Sequence, residues 1–174
     1  METALISLVC VAIIIVGSLT AITGSFHAAS TMAESLKEME EQAGNIRRTE
    51  IEALDNTDST GGDFYITVEN DGETGLSQFS QWDVIVQYRG SDGNDYLTYL
   101  EYTTNDPPGN NRWTVDGIYL PNDDPEAWDP DILNPGEKMV LQIDLNPRID
   151  RGSTARITIS TPNGVTSQCL AHRN

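Results

Sequence analysis

Residues 4–17 read ALISLVCVAIIIVG, the densest apolar run in the chain. It lies inside a longer stretch, Thr3 to Ala33, without a single Lys, Arg, Asp or Glu, although the part from Ser18 to Ser30 is small and semi-polar. Together these positions exceed the roughly 20 residues a helix needs to cross a bilayer. Three readings compete. A secretory signal peptide wants positive charge ahead of the apolar run and a small-residue cleavage site after it, yet the charge ahead here is the acidic Glu2. A plain transmembrane anchor usually carries Lys or Arg on its cytoplasmic flank, and that flank is missing. Both absences are accounted for if a short basic leader was cut just ahead of residue 1 and the helix retained, as in a processed class III signal.

The helical pattern continues past the apolar run. Met32, Leu36, Met39, Ala43 and Ile46 recur at a 4-3-4-3 spacing and so share one stripe, while Glu34, Lys37, Glu38, Glu40, Glu41, Arg47 and Arg48 fall largely on the other faces. No proline precedes Pro107, so one helix from about residue 2 to 55 is expected, roughly 80 Å long at 1.5 Å rise per residue. A helix of that length must bury its sides against partners, an anchor plus stalk being the alternative. On the self-packing reading, Leu5, Ile6, Leu8, Val9, Ile13, Ile14 and Val16 meet in a shared apolar core, each burial contributing about 1.5–3 kcal/mol. The stripe Met32, Leu36, Met39, Ala43 and Ile46 extends that contact.

Composition changes at Asn56 to Asp63, the turn-rich NTDSTGGD. Beyond it the apolar alternation has period two. Strands are expected at residues 64–68, 82–88, 96–103, 112–120, 138–145, 155–161 and 165–170, punctuated by Asn70-Asp71-Gly72, Gly90-Ser91-Asp92-Gly93, the Pro107-Pro108 segment and Asn134-Pro135-Gly136. Asn163-Gly164 between two such runs is the strongest hairpin signal in the chain. Short β-branched and aromatic strands at these intervals indicate an antiparallel, immunoglobulin-like β-sandwich. The expected class is therefore α+β, with an assembly helix over residues 1–57 and a sandwich head over 58–174.

The chain of 174 residues carries ten Lys and Arg against 27 Asp and Glu, a net charge of −17. Such a surface repels phosphate backbones, which excludes nucleic acid as a partner. Cys10 and Cys169 form no CxxC pair and no even-spaced framework, so both read as small hydrophobic thiols. His27 and His172 neighbour no residue at a spacing that suggests a triad or a metal site, and no Gly-rich phosphate loop is present. No catalytic residue, cofactor or metal ligand is assigned, and an enzyme is not expected. Two acidic loops stand out. Asn122 to Asp131 packs five carboxylates into ten residues, enough oxygen for several calcium ligands, but it lacks the EF-hand spacing. Asp92-Gly93-Asn94-Asp95 is equally incomplete. Each reads as a solvated acidic loop, with a cation site as the alternative. No N-x-S/T sequon occurs.

Taken together, the apolar helix at residue 1, the long helical arm and the small sandwich resemble archaellins, the flagellins of archaeal swimming filaments, within the wider class of type IV pilin-like proteins. The phrases Val68-Glu69-Asn70-Asp71-Gly72, Trp82-Asp83-Val84-Ile85-Val86, Leu133-Asn134-Pro135-Gly136-Glu137 and Ile159-Ser160-Thr161-Pro162-Asn163-Gly164-Val165 resemble archaellin strand-and-turn segments, and the archaellum's membrane-anchored accessory proteins share such phrases. The resemblance implies a lollipop-shaped subunit whose leader is removed by a prepilin-peptidase-like enzyme. It further implies that the subunit enters the membrane, and that an ATPase-driven platform draws it into an extracellular homopolymer used for swimming. Glu2 is not at the fifth position where bacterial type IV pilins carry their glutamate, which tells against that branch. The compact sandwich leaves an adhesive pilin and a stator-like accessory protein open as alternatives.

Overall fold

The computed structural model describes residues 2–54 and 63–174, and the side chains of residues 7–18, 27–54 and 64–174. Helix α1 runs from Glu2 to Arg48, about 70 Å at the standard rise. Two compact units emerge, Met1–Gly44 and Asn45–Asn174, so the last turn of α1 packs with the head.

The expected continuation of the helix to residue 55 does not occur. Thr49 ends it: its hydroxyl donates to the Asn45 carbonyl at 2.9 Å, and its amide bonds the Ile46 carbonyl at 3.2 Å, the tighter closure of a final turn. The carbonyls of Arg48 and Glu50 then accept from the amides of Glu73 (2.8 Å) and Gly72 (3.1 Å), outside any helix. Residues Ile51–Leu54 form strand β1, with Ile51 and Ala53 buried and Glu52 exposed. The period-two pattern of this short segment therefore prevails over helical continuation. The turn-rich junction, Asn56 onward, and the expected boundary at residues 57 and 58 lie outside the described residues.

The head adds β2 (Asp63–Asn70), β3 (Asp83–Arg89), β4 (Asp95–Tyr102), β5 (Arg112–Tyr119), β6 (Lys138–Asp144), β7 (Thr154–Ser160) and β8 (Thr166–His172). These seven fall on the runs expected from alternation, and β1 is an addition. Their hydrogen-bonded order is β1-β2-β6-β5-β4-β3-β7-β8. One layer, β1-β2-β6-β5, and the other, β4-β3-β7-β8, are each antiparallel. They are joined by a short parallel pairing of β4 with β5, Glu101 opposite Arg112 and Tyr102 opposite Trp113. This corrects the purely antiparallel expectation: the chain changes layer through residues 103–111, and β5 starts alongside the end of β4 in the same direction. At the far end β1 returns against β8, where the Ala53 amide donates to Ser167 Oγ at 2.9 Å. The result is a sandwich whose strands form one folded, barrel-like ribbon.

Inward residues alternate along the strands, as a two-layer core demands, except in β5, where a register shift between Val115 and Gly117 breaks the period. Trp82 and Trp113 are fully buried among Phe64, Ile66, Leu100, Leu141, Ile143 and Ile157. Cys169, opposite Ile157 on β7, is buried among them as small apolar filler.

Candidate assembly surfaces

The sequence-expected assembly residues lie on α1, and those whose side chains are described are exposed. Leu8 is 72% and Ile14 68% accessible, and Val9, Ile13 and Val16 are likewise open. The backbone of Leu5 and Ile6 is helical, but their side chains lie outside the described residues. Val11 and Ile15 are equally exposed and belong with the group; their place inside the same apolar run was the signal for them. At 3.6 residues per turn, positions 8 to 16 spread large apolar side chains around the whole circumference. A helix that is apolar all round is one that must be surrounded.

The second segment differs. Met32, Leu36, Met39 and Ala43 form a one-sided stripe, and Ala28, Thr31, Met32, Ser35, Leu36 and Met39 line a shallow apolar groove along it. Ile46 continues the spacing but belongs to the head unit. The opposite face carries the exposed pair Lys37–Glu41 at 3.8 Å. Among the described residues, no helix is long and apolar enough to cross a membrane.

A second constellation gathers at the exit of α1. Asn70, fully buried, donates through Nδ2 to the carbonyls of Thr74 and Leu133, both at 2.9 Å, and accepts the Gly72 amide at 3.1 Å. Its backbone is clasped by Glu137 (3.0 Å) and Gly136 (2.7 Å). The Glu137 carboxylate in turn accepts the Asn134 amide at 2.7 Å. Asn163 Nδ2 donates to Thr49 Oγ1 at 2.7 Å, and Thr161 Oγ1 donates to Asn163 Oδ1 at 2.5 Å. Three loops far apart in sequence (70–76, 133–137 and 161–165) are thus locked together beside Asn45–Glu50. The sequence phrases identified each loop, but nothing in them showed that the three meet.

The two acidic loops are bonded internally. Asp92 accepts from Tyr96 OH (2.6 Å), Asn94 Nδ2 (2.8 Å) and the Asn94 amide (3.1 Å). The Tyr96 hydroxyl is the chief cause that holds the Asp92 carboxyl below its ordinary range, and Asp92 raises Tyr96 in return. Glu126 Oε1 accepts the amides of Trp128 (2.5 Å) and Asp129 (3.3 Å), and the first of these lowers its pKa most. Asp123 pairs with Lys138 Nζ at 2.9 Å and raises its pKa. Among the described residues, no group of three His, Cys, Asp or Glu is placed to hold a metal ion.

The profile of the archaeal-type flagellin family matches residues 3–169 of this chain. Among solved structures, the archaeal flagellum of Methanospirillum hungatei strain JF1 is similar at 12% identity, covering 97% of this chain and 91% of that one, with a TM-score of 0.58. The archaellum periplasmic stator protein FlaG from Sulfolobus acidocaldarius is similar at 23% identity, covering 70% of this chain and 98% of that one, with a TM-score of 0.50. At these identities the likeness is one of fold. No curated protein sequence matches the chain.

Proposed function

The chain belongs to the archaeal-type flagellin family, and from that premise we propose that it is the structural subunit of an archaellum-type filament, polymerising through α1 into an extracellular helical fibre for swimming. The observation that carries this reading is the apolar girth of α1 between Leu8 and Val16, exposed on every side. One-sided contact with a membrane surface or a single partner leaves half of that girth in water. Surrounding copies of the same helix cover all of it in the fibre, as lipid does at the membrane-inserted stage. Burying one such side chain contributes about 1.5–3 kcal/mol, so several together outweigh any single polar contact between heads. The stripe from Met32 to Ala43 then closes the outer margin of the core, and the acidic heads form the solvated layer.

The route to that state includes a membrane-inserted stage, leader removal by a prepilin-peptidase-like enzyme and extraction by an ATPase-driven platform. No cofactor or nucleic acid takes part, and no chemistry is assigned to the chain. A second reading, a membrane-anchored stator or accessory protein with a β-sandwich binding domain, is favoured by the likeness of the head to the FlaG structure. Shearing cells and probing the supernatant separates the two: a filament subunit is recovered there as helical fibres, whereas an anchored module stays with the membranes. Deleting the gene separates swimming from adhesion. Loss of attachment with swimming intact identifies an adhesive pilin and refutes the archaellum reading.

A further inference from the structure

The head carries 19 acidic and seven basic residues over positions 58–174, yet one of its faces holds no carboxylate at its centre. On the outer side of β4-β3-β7-β8, the register aligns Leu97, Gln87, Arg156 and Leu170 in one row. Tyr99, Ile85, Thr158 and Gln168 form the next. Leu97 (75% accessible), Tyr99, Ile85 and Leu170 are exposed, and the charge within these two rows is that of Arg156, with Asp83 (bonded to the Tyr99 hydroxyl) and Glu101 at one margin and Arg89 and Asp95 at the other. An exposed apolar patch of this kind marks a contact surface.

Its counterpart lies on the other layer. Residues 124–126 run beside the second half of β5, where β4 has left that strand's edge free: the amides of Leu120 and Glu126 bond the carbonyls of Asp124 and Ile118, both at 2.8 Å. From this support the loop projects Trp128, 90% accessible, with Glu126, Asp129 and Asp131 around it. The Glu126 carboxylate bonds to the amides of Trp128 and Asp129 hold the tryptophan's backbone in place. A pre-ordered, exposed Trp is the kind of anchor on which interfaces concentrate their energy.

We propose that the Trp128 loop of one copy docks on the β4-β3-β7-β8 outer face of the next, the indole lying on Leu97, Tyr99 and Leu170 and the surrounding carboxylates facing Arg156. The occupant is a second copy because the exposed indole matches the apolar patch and the loop's carboxylates match Arg156 at its centre, Asp83, Glu101 and Asp95 standing only at its margins. They also occupy separate layers of the head, so the contact is head-to-tail and open-ended, the form that generates helical polymers rather than closed dimers. The inference rests on the filament reading above.

The test uses filaments sheared from cells carrying the full chain with Cys10→Ala, bearing Ala127→Cys and Gln87→Cys together, which leave Trp128 and Leu97 in place, and treated with a short bis-maleimide. A denaturing gel is expected to show a ladder of dimers, trimers and higher species, while each variant with one added cysteine beside the buried Cys169 runs as monomer. Filaments of the double variant that run as monomer overturn the docking and leave the filament reading standing; cross-linked dimers from Ala127→Cys alone overturn it too, since they require the loop to face itself. Absence of fibres from the unsubstituted chain removes the filament reading and this contact with it. A charge exchange provides a second measurement should the cysteine variants fail to assemble. Arg156→Glu is expected to shorten filaments at least several-fold, and adding Asp129→Arg to restore them. Normal length in the first, or no restoration in the second, overturns the proposal.

Discussion

Gly72 sits where the loop after β2 meets the end of α1. A Cβ added there would lie 2.6 Å from the Arg48 carbonyl oxygen and 2.6 Å from the Glu50 nitrogen. Both are backbone atoms tied into the helix exit, so neither moves aside cheaply. Gly72→Ala is therefore expected to destabilise the head by about 1–3 kcal/mol, read as a lower thermal-unfolding midpoint by circular dichroism. Gly152→Ala, with open space around its Cβ but a φ of +70°, costs about 1 kcal/mol through strain alone. The Asp92 carboxylate offers a pH test at the same scale. Its folded pKa is depressed by the Tyr96 hydroxyl, so its stabilisation of the β3–β4 turn is present above the unfolded value and lost as pH falls through the folded one. A carboxyl NMR titration is expected to place Asp92 below the ordinary Asp range, and Tyr96→Phe to move it back up. An unmoved titration in that variant excludes the hydroxyl as the cause.

At the scale of the element, α1 divides by its pattern. Around Ile14 the helix is apolar on all sides, and a carboxylate there has no face on which to escape burial in a core of helices; its desolvation costs several kcal/mol. Ile14→Asp is expected to abolish fibres in the sheared fraction while the head's unfolding midpoint stays that of the unsubstituted chain. Filaments of normal length on such cells would sink the core assignment. Glu41→Gln is the contrast. Its partner Lys37 is 3.8 Å away and both side chains are exposed, a pair worth about 0.3–0.5 kcal/mol, so assembly is expected to continue unchanged. The strands were legible because inward and outward positions alternate along most of them, as in β3, where Val84, Val86 and Tyr88 are buried and Asp83, Ile85 and Gln87 are exposed. The end of α1 was not legible. Residues 49–54 fit a helical continuation as well as a strand, and the choice is made by Glu73 and Gly72, whose amides take the Arg48 and Glu50 carbonyls from across the head.

For the whole molecule, charge opposes assembly. Each copy brings a net −17, and packing like-charged heads side by side raises their mutual repulsion, which salt screens over a Debye length of about 10 Å at 0.1 M. Sheared filaments are therefore expected to lengthen and to dissociate at higher temperature as sodium chloride is raised from low ionic strength. Sedimentation across a salt series measures this. Fibres that fall apart as salt rises would show instead that ion pairs, not apolar burial, hold the copies together.

The sequence by itself determined the division into an apolar helix and an alternating acidic head, because helical stripe, all-round apolarity and period-two alternation are local properties of consecutive residues. The same local reading placed the candidate assembly residues from Leu8 to Val16. Only the tertiary structure decided where α1 stops, that an eighth strand pairs at its exit, and that β4 meets β5 in parallel to join the layers. It alone brought Asn70 to Leu133 and Thr49 to Asn163, and set an exposed Trp128 on one layer and an exposed apolar patch around Leu97, Tyr99 and Leu170 on the other. The reason is physical: hydrogen-bond partners and surface patches form between segments distant in the chain, and no local periodicity specifies which of them will meet.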